Sequence, residues 1–324
     1  MPGLERNGLL QSLAGRAGSW TYRGWNFEPS VNRPRTFPSI LNATARLLLW
    51  VSFGTSSGLS GGLALSADPP VGRDGALLPL PTAAQARWQD LEFGLLFHFG
   101  LATLNAPRGS DGTLDPKIFG PTGFDAEQWV GAAVDAGARY VIVTAKHRDG
   151  FCLWPTRTTD YSVAASSWRD GNGDLLAEVS AACQRSGIGF GVYLSSWDAH
   201  EPSYADPSAY TNLFARQLEE LLTGYGPLVE VWLDGASPDD RTYDWAQVSD
   251  LMARHQPEAM TFNMGAATVR WAGNDVGVAP EPCWNVVRAE DVERFPKGGA
   301  QSDGSGTVWL PVETQALLRS GWFW

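Results

Sequence analysis

The sequence is poor in the residues that build disulfide frameworks, metal sites and nucleic-acid surfaces. Its three cysteines, Cys152, Cys183 and Cys283, have no C-x-x-C spacing, which excludes a four-thiolate zinc site and a disulfide-stapled scaffold. The four histidines form no H-x-H or H-E-x-x-H pair, so a transition-metal site would need one ligand from each of several strands. With 24 Lys+Arg against 35 Asp+Glu, the net charge is -11. The basic residues form no stripe, and we expect no nucleic-acid partner.

The sequence also lacks an apolar run of the roughly 20 residues that a membrane-spanning helix requires. Basic residues, the apolar run 47–53 and a Gly/Ser-rich passage resemble, in that order, a secretion signal with cleavage near Ala67. Because about 40 residues precede the apolar run, either the true start lies downstream of Met1 or the segment is a disordered leader. We expect residues 1–78 to be largely disordered, and the protein to be secreted, periplasmic or lysosome-like, with no stable membrane insertion.

Residues 79–324 alternate short apolar strands with amphipathic helices. In the first unit, Asp125 caps a predicted helix and Gly137 ends it, before a strand over 139–145. The unit repeats with helices over 174–185, 210–222 and 245–255, each followed by a strand, over 189–194, 228–233 and 259–263. Buried strands between amphipathic helices predict a parallel sheet with right-handed crossovers, and therefore the α/β class.

Two parallel architectures fit this pattern, a doubly wound sheet and a (β/α)8 barrel. Neither G-x-G-x-x-G nor G-x-x-x-x-G-K-[ST], the phosphate loops of doubly wound nucleotide folds, occurs in the sequence. Ionisable or aromatic residues instead follow nearly every strand, and a barrel gathers its site from such strand ends. We therefore predict a TIM-like (β/α)8 barrel over residues 79–324, with these strand-end residues at its mouth: His98, Lys146, His147, Tyr193, Trp197, Asp198, Trp232, Asp234 and Asn263.

Two strand ends carry residue types that catalysis uses. Asp234 follows an apolar strand and precedes Gly235, where a carboxylate could attack an anomeric carbon, bind a metal or simply cap the next turn. Lys146 begins a run of four ionisable residues that could be a solvated loop or could include a Schiff-base lysine. Its charged neighbours favour a hydrated, paired lysine over the desolvated lysine that a Schiff base needs.

Five motifs follow one another in order along the chain: Phe97-His-Phe-Gly100, Ala145-Lys-His-Arg-Asp-Gly-Phe-Cys-Leu-Trp154, Thr159-Asp-Tyr-Ser-Val163, Gly191-Val-Tyr-Leu-Ser-Ser-Trp-Asp198 and Val231-Trp-Leu-Asp-Gly235. Together they resemble glycoside hydrolase family 29, the α-L-fucosidases. Residues 269–275, followed by Cys283-Trp284, further resemble the branch that prefers α-1,3/1,4-linked fucose. The resemblance implies a retaining mechanism on a barrel, without metal or organic cofactor, and a fucosylated oligosaccharide or glycoprotein as substrate.

The resemblance also implies roles for individual residues. Asp234 would be the nucleophile that forms the fucosyl-enzyme ester. Asp275 stands where the family places its acid/base glutamate, and because aspartate is one methylene shorter, Glu281 is the reserve acid/base candidate. A retaining mechanism needs the two carboxyl groups about 5 to 5.5 Å apart. The residues implied in binding fucose are His98, His147, Tyr193, Trp232, Arg270 and Trp271.

The sequence departs from the family pattern in three places. Arg148 replaces a histidine that binds a sugar hydroxyl, and a guanidinium accepts no hydrogen bond. The stretch 105–112 lacks a Glu-Trp pair that contacts the sugar. The family continues past Trp324 into a further helix and strand, so we expect an incomplete barrel with a poorly covered aromatic end at 322–324. These departures leave a second hypothesis, a catalytically impaired pseudoenzyme that binds fucose or glycans.

Overall fold

The computed structural model describes residues 78–105, 108–234, 243–265, 267–273, 277–288, 306–318 and 321–323. These residues belong to the second of the two units into which the chain divides, Ser66–Trp324. The predicted leader lies outside the described residues except for Leu78, so its disorder, its signal and the boundary at 78/79 stay predictions. No described helix is both long enough and apolar enough to cross a membrane.

Helices and strands alternate along the described residues. The α-helices are Ala83–Gln89 (α1), Leu101–Leu104 (α2), Ala126–Asp135 (α3), Leu175–Ser186 (α4), Pro207–Gly224 (α5) and Trp245–His255 (α6). The strands are Gly94–Phe97 (β1), Tyr140–Lys146 (β2), Gly189–Ser195 (β3), Glu230–Asp234 (β4), Met260–Phe262 (β5), Arg270–Trp271 (β6), Val286–Arg288 (β7), Thr307–Trp309 (β8) and Val312–Glu313 (β9). Short 3-10 helices span Pro116–Ile118, Val163–Ala165, Trp168–Gly171 and Pro202–Ala205.

Capping by aspartate determines where α3 and α4 begin. The Asp125 carboxylate accepts a hydrogen bond from the Gln128 amide at 3.1 Å, and Asp174 accepts one from the Ala177 amide at 2.9 Å. Such a cap satisfies one of the amides that the first turn leaves without a partner. Gly187 ends α4 in the left-handed conformation, with φ at 70°. Both helices therefore begin within a residue or two of the positions that the sequence predicts.

The two later helices show where sequence periodicity succeeds and where local chemistry overrides it. Helix α6 has the predicted bounds, Trp245–His255. Helix α5 begins three residues before the predicted start at Tyr210, because Asp206 caps it and Pro207 occupies its first turn, where a missing N–H costs nothing. The helix ends at Gly224, two residues beyond the predicted end at residue 222.

The first five strands form one parallel sheet in the order β1-β2-β3-β4-β5. The α/β class with a parallel sheet is therefore confirmed. The predicted TIM-like (β/α)8 barrel, expected to be incomplete, is not confirmed, because the sheet of the described residues has five strands and is not closed. Beyond β5 the strands are two or three residues long and pair with each other, β6 with β9 in parallel and β7 with β8 in antiparallel, so neither pair closes the sheet.

One face of the sheet is covered by helices and carries apolar side chains. Helix α3 packs beside α4, and α5 packs beside α6. Because successive strand residues point to opposite faces, every second residue of a strand enters this core. The fully or nearly fully buried strand residues on the helix-covered face are Val141, Val143, Ala145, Phe190, Val192, Leu194, Val231 and Leu233.

The opposite face of the sheet is lined by larger, mostly aromatic residues. They form a second cluster, separate from the helix-covered core, with Trp88 of α1 and Val269 as its non-sheet members. The strand residues of this cluster are Tyr140, Ile142, Tyr193, Trp232, Met260 and Phe262. We call this side the aromatic face. Tyr193 and Trp232, two of the predicted strand-end residues, lie on it.

A cavity of about 930 Å³ lies along β1, at the open edge of the sheet. Strand β1 lines one side of it and residues 312–318 line another, with Trp88 and Trp232 from the aromatic face. The cavity reaches His98 and Trp322, whereas Asp234 is not among its lining residues. The open edge of the sheet and the predicted sugar-binding residues are therefore close neighbours.

Candidate active site

Strand β4 presents a row of three side chains to the aromatic face. Glu230, Trp232 and Asp234 alternate with Val231 and Leu233, which enter the helix-covered core. Asp234 is the last residue of the strand, at the carboxyl edge of the sheet, and its side chain is half-buried. The strand therefore delivers one carboxylate to the end of the sheet where parallel α/β folds gather their active sites.

Tyr193 holds the Asp234 carboxylate. Its phenol donates a hydrogen bond to Asp234 Oδ2 at 3.0 Å, and the Ser196 amide donates one to the Asp234 carbonyl at 2.7 Å. Burial raises the pKa of the Tyr193 phenol well above its usual value, and the charge of Asp234 raises it further. The phenol therefore keeps its proton and acts as a permanent donor to the carboxylate.

Two neutral histidines lie beside Tyr193. The ring centroid of His98 is 4.9 Å from that of Tyr193 and 5.2 Å from that of His147. Burial, with a smaller effect from His147, lowers the pKa of His98 to about 3, and burial, with a smaller effect from Arg148, lowers the pKa of His147 to about 4. At neutral pH each ring is uncharged and offers one N–H donor and one acceptor nitrogen.

Two further aromatic residues contact the histidines and were not among the predicted site residues. Phe323 stacks on His98 with ring centroids 5.1 Å apart and meets His147 edge-on at 4.9 Å. Trp322 meets His98 edge-on at 5.2 Å. The expectation of a poorly covered aromatic end is wrong for these two residues, which are half-buried. The only signal in the sequence was the cluster of aromatics at 322–324.

Trp232 contacts a buried pair of carboxyl groups, those of Glu230 and Glu313. Its ring stacks on Phe262 with centroids 3.8 Å apart, and its indole N–H donates to Glu313 at 3.3 Å. The indole of Trp88 donates to Glu230 at 2.9 Å. Burial raises the pKa of Glu230 well above its usual value, and the nearby Glu313 carboxyl raises it further. Two carboxyl groups thus lie close together, and among the described residues no Lys or Arg forms an ion pair with either of them. Sequence reasoning missed this arrangement.

Arg270 and Trp271 lie on β6, apart from the row on β4. The guanidinium of Arg270 donates to the backbone carbonyl of Trp284 at 2.7 Å. Trp271 packs against the cluster of the aromatic face, which includes Tyr193 and Trp232. The structure therefore connects Trp271 with the predicted site and directs Arg270 toward the loop that precedes β7.

Of the two acid/base candidates, only Glu281 is among the described residues. Asp275 lies outside the described residues. Glu281 is described and exposed, in the loop between β6 and β7. The structure therefore gives one predicted carboxylate, Asp234, a defined hydrogen-bond partner, while the assignment of the second carboxylate stays a prediction.

Lys146 is a structural residue rather than a reactive amine. It is fully buried and donates to Asp198 at 2.9 Å and to Tyr210 at 3.1 Å. Burial acts to lower the pKa of Lys146, but the opposing charge of Asp198 is stronger and the net pKa is raised. The expectation of a paired lysine is confirmed, whereas the expectation of a hydrated one is wrong. Among the described residues, no group of three or more His, Cys, Asp or Glu side chains is arranged to hold a metal ion.

Residues 115–275 match the family model described as Alpha-L-fucosidase. Alpha-L-fucosidase 1 of Arabidopsis thaliana is 42% identical over 254 residues, which cover 76% of this chain and 50% of the plant protein. The structure of a Ruminococcus gnavus glycoside hydrolase family 29 fucosidase in complex with fucose superposes with a TM-score of 0.66 at 34% identity, covering 80% of this chain and 58% of that one.

A second similar structure is a glycoside hydrolase family 29 member from an unknown rumen bacterium. It has a TM-score of 0.67 and 36% identity, and the match covers 76% of this chain and 47% of that one. The chain spans about half the length of the curated relatives it matches, 50% of the Arabidopsis protein and 51% of one from rice.

Proposed function

Because the chain belongs to the alpha-L-fucosidase family, we propose that it carries the catalytic region of a glycosidase that removes terminal α-L-fucose from glycans. The open five-stranded sheet is, in this proposal, an arc of a (β/α)8 barrel with the active site at its carboxyl edge. The similarity of residues 269–275 to one branch of the family supports α-1,3/1,4-linked fucose as the preferred substrate, on an oligosaccharide or glycoprotein.

The hydrogen bond from Tyr193 to Asp234 is the observation that carries this proposal. It fixes Oδ2 of the carboxylate at the strand end. In a retaining reaction, that carboxylate attacks the anomeric carbon and forms an ester, while the bond to the leaving oxygen breaks and an acid donates a proton to that oxygen. Water then attacks the same carbon, the ester bond breaks, and the second carboxyl group takes the proton from the water.

Asp275 is the proposed acid/base residue, with Glu281 as the reserve. Both lie in the chain segment between β6 and β7, and Glu281 is exposed. The mechanism requires the acid/base carboxyl about 5 to 5.5 Å from the nucleophile. Substitution separates the candidates. Asp275→Ala slows substrates with poor leaving groups far more than activated aryl fucosides if Asp275 is the acid, and Glu281→Ala has that effect if Glu281 is the acid.

His98 and His147 are proposed to bind the sugar hydroxyls. Both rings are neutral at neutral pH. Nδ1 of His98 is hydrogen-bonded to the Thr144 hydroxyl, so His98 offers Nε2 to one sugar hydroxyl and His147 offers its ring nitrogens to others. The half-buried rings of Trp322 and Phe323 supply an apolar surface next to them, which suits the methyl group and C–H face of fucose. Tyr193, Trp232, Arg270 and Trp271 complete the proposed binding residues.

Substitution of the nucleophile tests this function directly. We expect Asp234→Gly to reduce hydrolysis of 4-nitrophenyl α-L-fucoside by about 1,000-fold or more, because the ester can no longer form. Added azide should restore cleavage and give β-L-fucosyl azide, since azide attacks from the side that the carboxylate occupied. The matched control is Asp170→Gly, an exposed aspartate at φ 54° where glycine fits the backbone, and it should retain activity.

The product of the unmodified protein tests the stereochemistry. Proton NMR of the first product should show α-L-fucose before mutarotation, as a retaining mechanism requires, and a chelator should leave the rate unchanged. Detection of β-L-fucose first would contradict the retaining mechanism. No turnover of any fucoside, together with measurable fucose binding, would replace the proposed hydrolase with the binding-only alternative.

A further inference from the structure

Arg148 and Trp197 lie side by side on the loops that follow β2 and β3. Each stands two residues beyond the end of its strand, and the two strands are neighbours in the sheet. The loops are joined by a backbone hydrogen bond from the Ala199 amide to the Arg148 carbonyl at 2.9 Å. The side chain of Ser195 fixes the Trp197 backbone through two hydrogen bonds, at 2.9 and 3.1 Å. Both residues therefore have well-anchored backbones.

The Arg148 guanidinium rests on the Trp197 indole, with its central carbon 5.4 Å from the ring centroid. Its side chain is exposed, and no carboxylate of the described residues lies within ion-pair distance of it. Arg169 gives a useful contrast, because it also rests on a tryptophan, Trp168, but its charge is paired with Glu178. The charge of Arg148 is thus oriented by an aromatic ring and left available to a ligand.

The charge of Arg148 acts on the residues of the proposed active site. It contributes to the lowered pKa of His147 and partly offsets the raised pKa of the Tyr193 phenol. Tyr193 is the residue that holds Asp234. A group bound at Arg148 would therefore be a neighbour of a sugar bound at Asp234.

We propose that Arg148 and Trp197 form a subsite for a negatively charged substituent, a carboxylate or a sulfate ester, on the part of the glycan that leaves. This inference rests on the proposed fucosidase function. A guanidinium has five donors and no acceptor, which matches the oxygens of an anion. Stacking on the indole limits its motion before the ligand arrives, so less entropy is lost on binding. Fucose itself is uncharged, so the anion belongs to the aglycone.

The test compares two trisaccharides that differ only in charge, an α-1,3-fucosylated N-acetyllactosamine with and without a sulfate ester on its galactose. We expect kcat/KM of the unmodified protein to be about tenfold higher for the sulfated substrate, the size of one charge-assisted hydrogen bond. Arg148→Gln should bring the ratio of the two values to about one, and added salt should reduce the ratio in the unmodified protein. Arg169→Gln, the matched control, should leave the ratio as it was.

Equal kcat/KM values for the two substrates in the unmodified protein would overturn the inference, and so would an equal loss of preference in both arginine variants. Failure of the proposed function has a different signature, because 4-nitrophenyl α-L-fucoside would then not be hydrolysed either. In that case, titration calorimetry with the same two trisaccharides decides the inference. Tighter binding of the sulfated one, lost in Arg148→Gln, supports the subsite, and equal binding rejects it.

Discussion

The two faces of the parallel sheet are made by the same strands and serve different purposes. On β3, Leu194 enters the helix-covered core, whereas its neighbour Tyr193 lies on the aromatic face and holds Asp234. On β4, Val231 and Leu233 alternate in the same way with the row that ends at Asp234. Strand alternation thus separates a face packed against helices from a face that carries the proposed active site.

The difference shows in the ionisable groups that each face contains. The helix-covered face is lined mostly by apolar strand residues, and the charge of Lys146, at the end of β2, is paired there with Asp198. The aromatic side includes the phenol of Tyr193, the carboxyls of Glu230 and Glu313, and, at the strand ends, His98 and His147, each with a pKa shifted mainly by burial. Perturbed groups of this kind concentrate at functional sites. Substitutions on the two faces should therefore affect different measurements.

The largest expected effect on stability comes from the helix-covered face. Leu194→Ala removes a side chain that is fully buried, and we expect the free energy of unfolding to fall by about 2 to 5 kcal/mol through lost burial and an unfilled cavity. Urea denaturation measures this loss. The kcat of the fraction that stays folded should be unchanged, and a strongly reduced kcat would show that the two faces are not separable.

Tyr193→Phe, at the neighbouring position, should affect kcat more than the free energy of unfolding. It removes the donor to Asp234 but keeps the ring, so we expect kcat for the aryl fucoside to fall by about ten- to a hundredfold, the worth of a hydrogen bond to a charged group. Tyr225→Phe is the matched control, because the Tyr225 phenol donates to Asp174, the cap residue of α4, at 3.1 Å and not to a residue of the proposed site. A similar kcat loss in both variants would contradict a positioning role for Tyr193.

The sequence predicts the helices and the strand that ends at Asp234, but it does not predict the long-range contacts of the aromatic face. The 3.6-residue period and the aspartate caps predict α3, α4 and α6 to within two residues, because the signals are local. The strand motif that ends at Asp234 predicts the catalytic candidate for the same reason. The contact between Trp232 and Glu313 joins residues 81 positions apart, and the packing of Phe323 on His98 spans an even longer separation. No local pattern encodes such contacts, so the sequence analysis missed the pair of Glu230 and Glu313 and the packing of Trp322 and Phe323 on His98.

The acidic pair of the aromatic face should make stability depend on pH. The pKa of Glu230 in the folded protein lies well above its ordinary value, so the folded state binds more protons than the unfolded state once the pH exceeds that ordinary value. Stability is then greatest below the unfolded pKa and falls as the pH rises toward the folded one, by up to about 1.4 kcal/mol per pH unit for each proton. We expect Glu230→Gln to flatten this decline.

Urea denaturation between pH 6.5 and 8 measures how Glu230 and Glu313 make stability depend on pH, without a contribution from the histidines. His98 and His147 have lowered pKa values, so their contribution is complete above the unfolded pKa of about 6.5 and is lost only as the pH falls. Glu258→Gln is the matched control, because Glu258 is exposed and paired with Arg87. A decline of equal slope in the unmodified protein and in Glu230→Gln would mean that Glu230 is already ionised at neutral pH.

The smallest expected effect is on the free energy of unfolding and comes from Asp125, an exposed helix-cap residue that belongs to neither hydrophobic cluster. Asp125→Ala removes the cap of α3 and leaves the Gln128 amide without its acceptor, so the free energy of unfolding should fall by about 1 kcal/mol. Asp125→Asn should retain most of the stability, because its side-chain carbonyl accepts the same hydrogen bond. Since the cap lies outside both faces, fucoside hydrolysis should be the same in all three proteins. A change in kcat without a change in stability would mean that α3 positions the site.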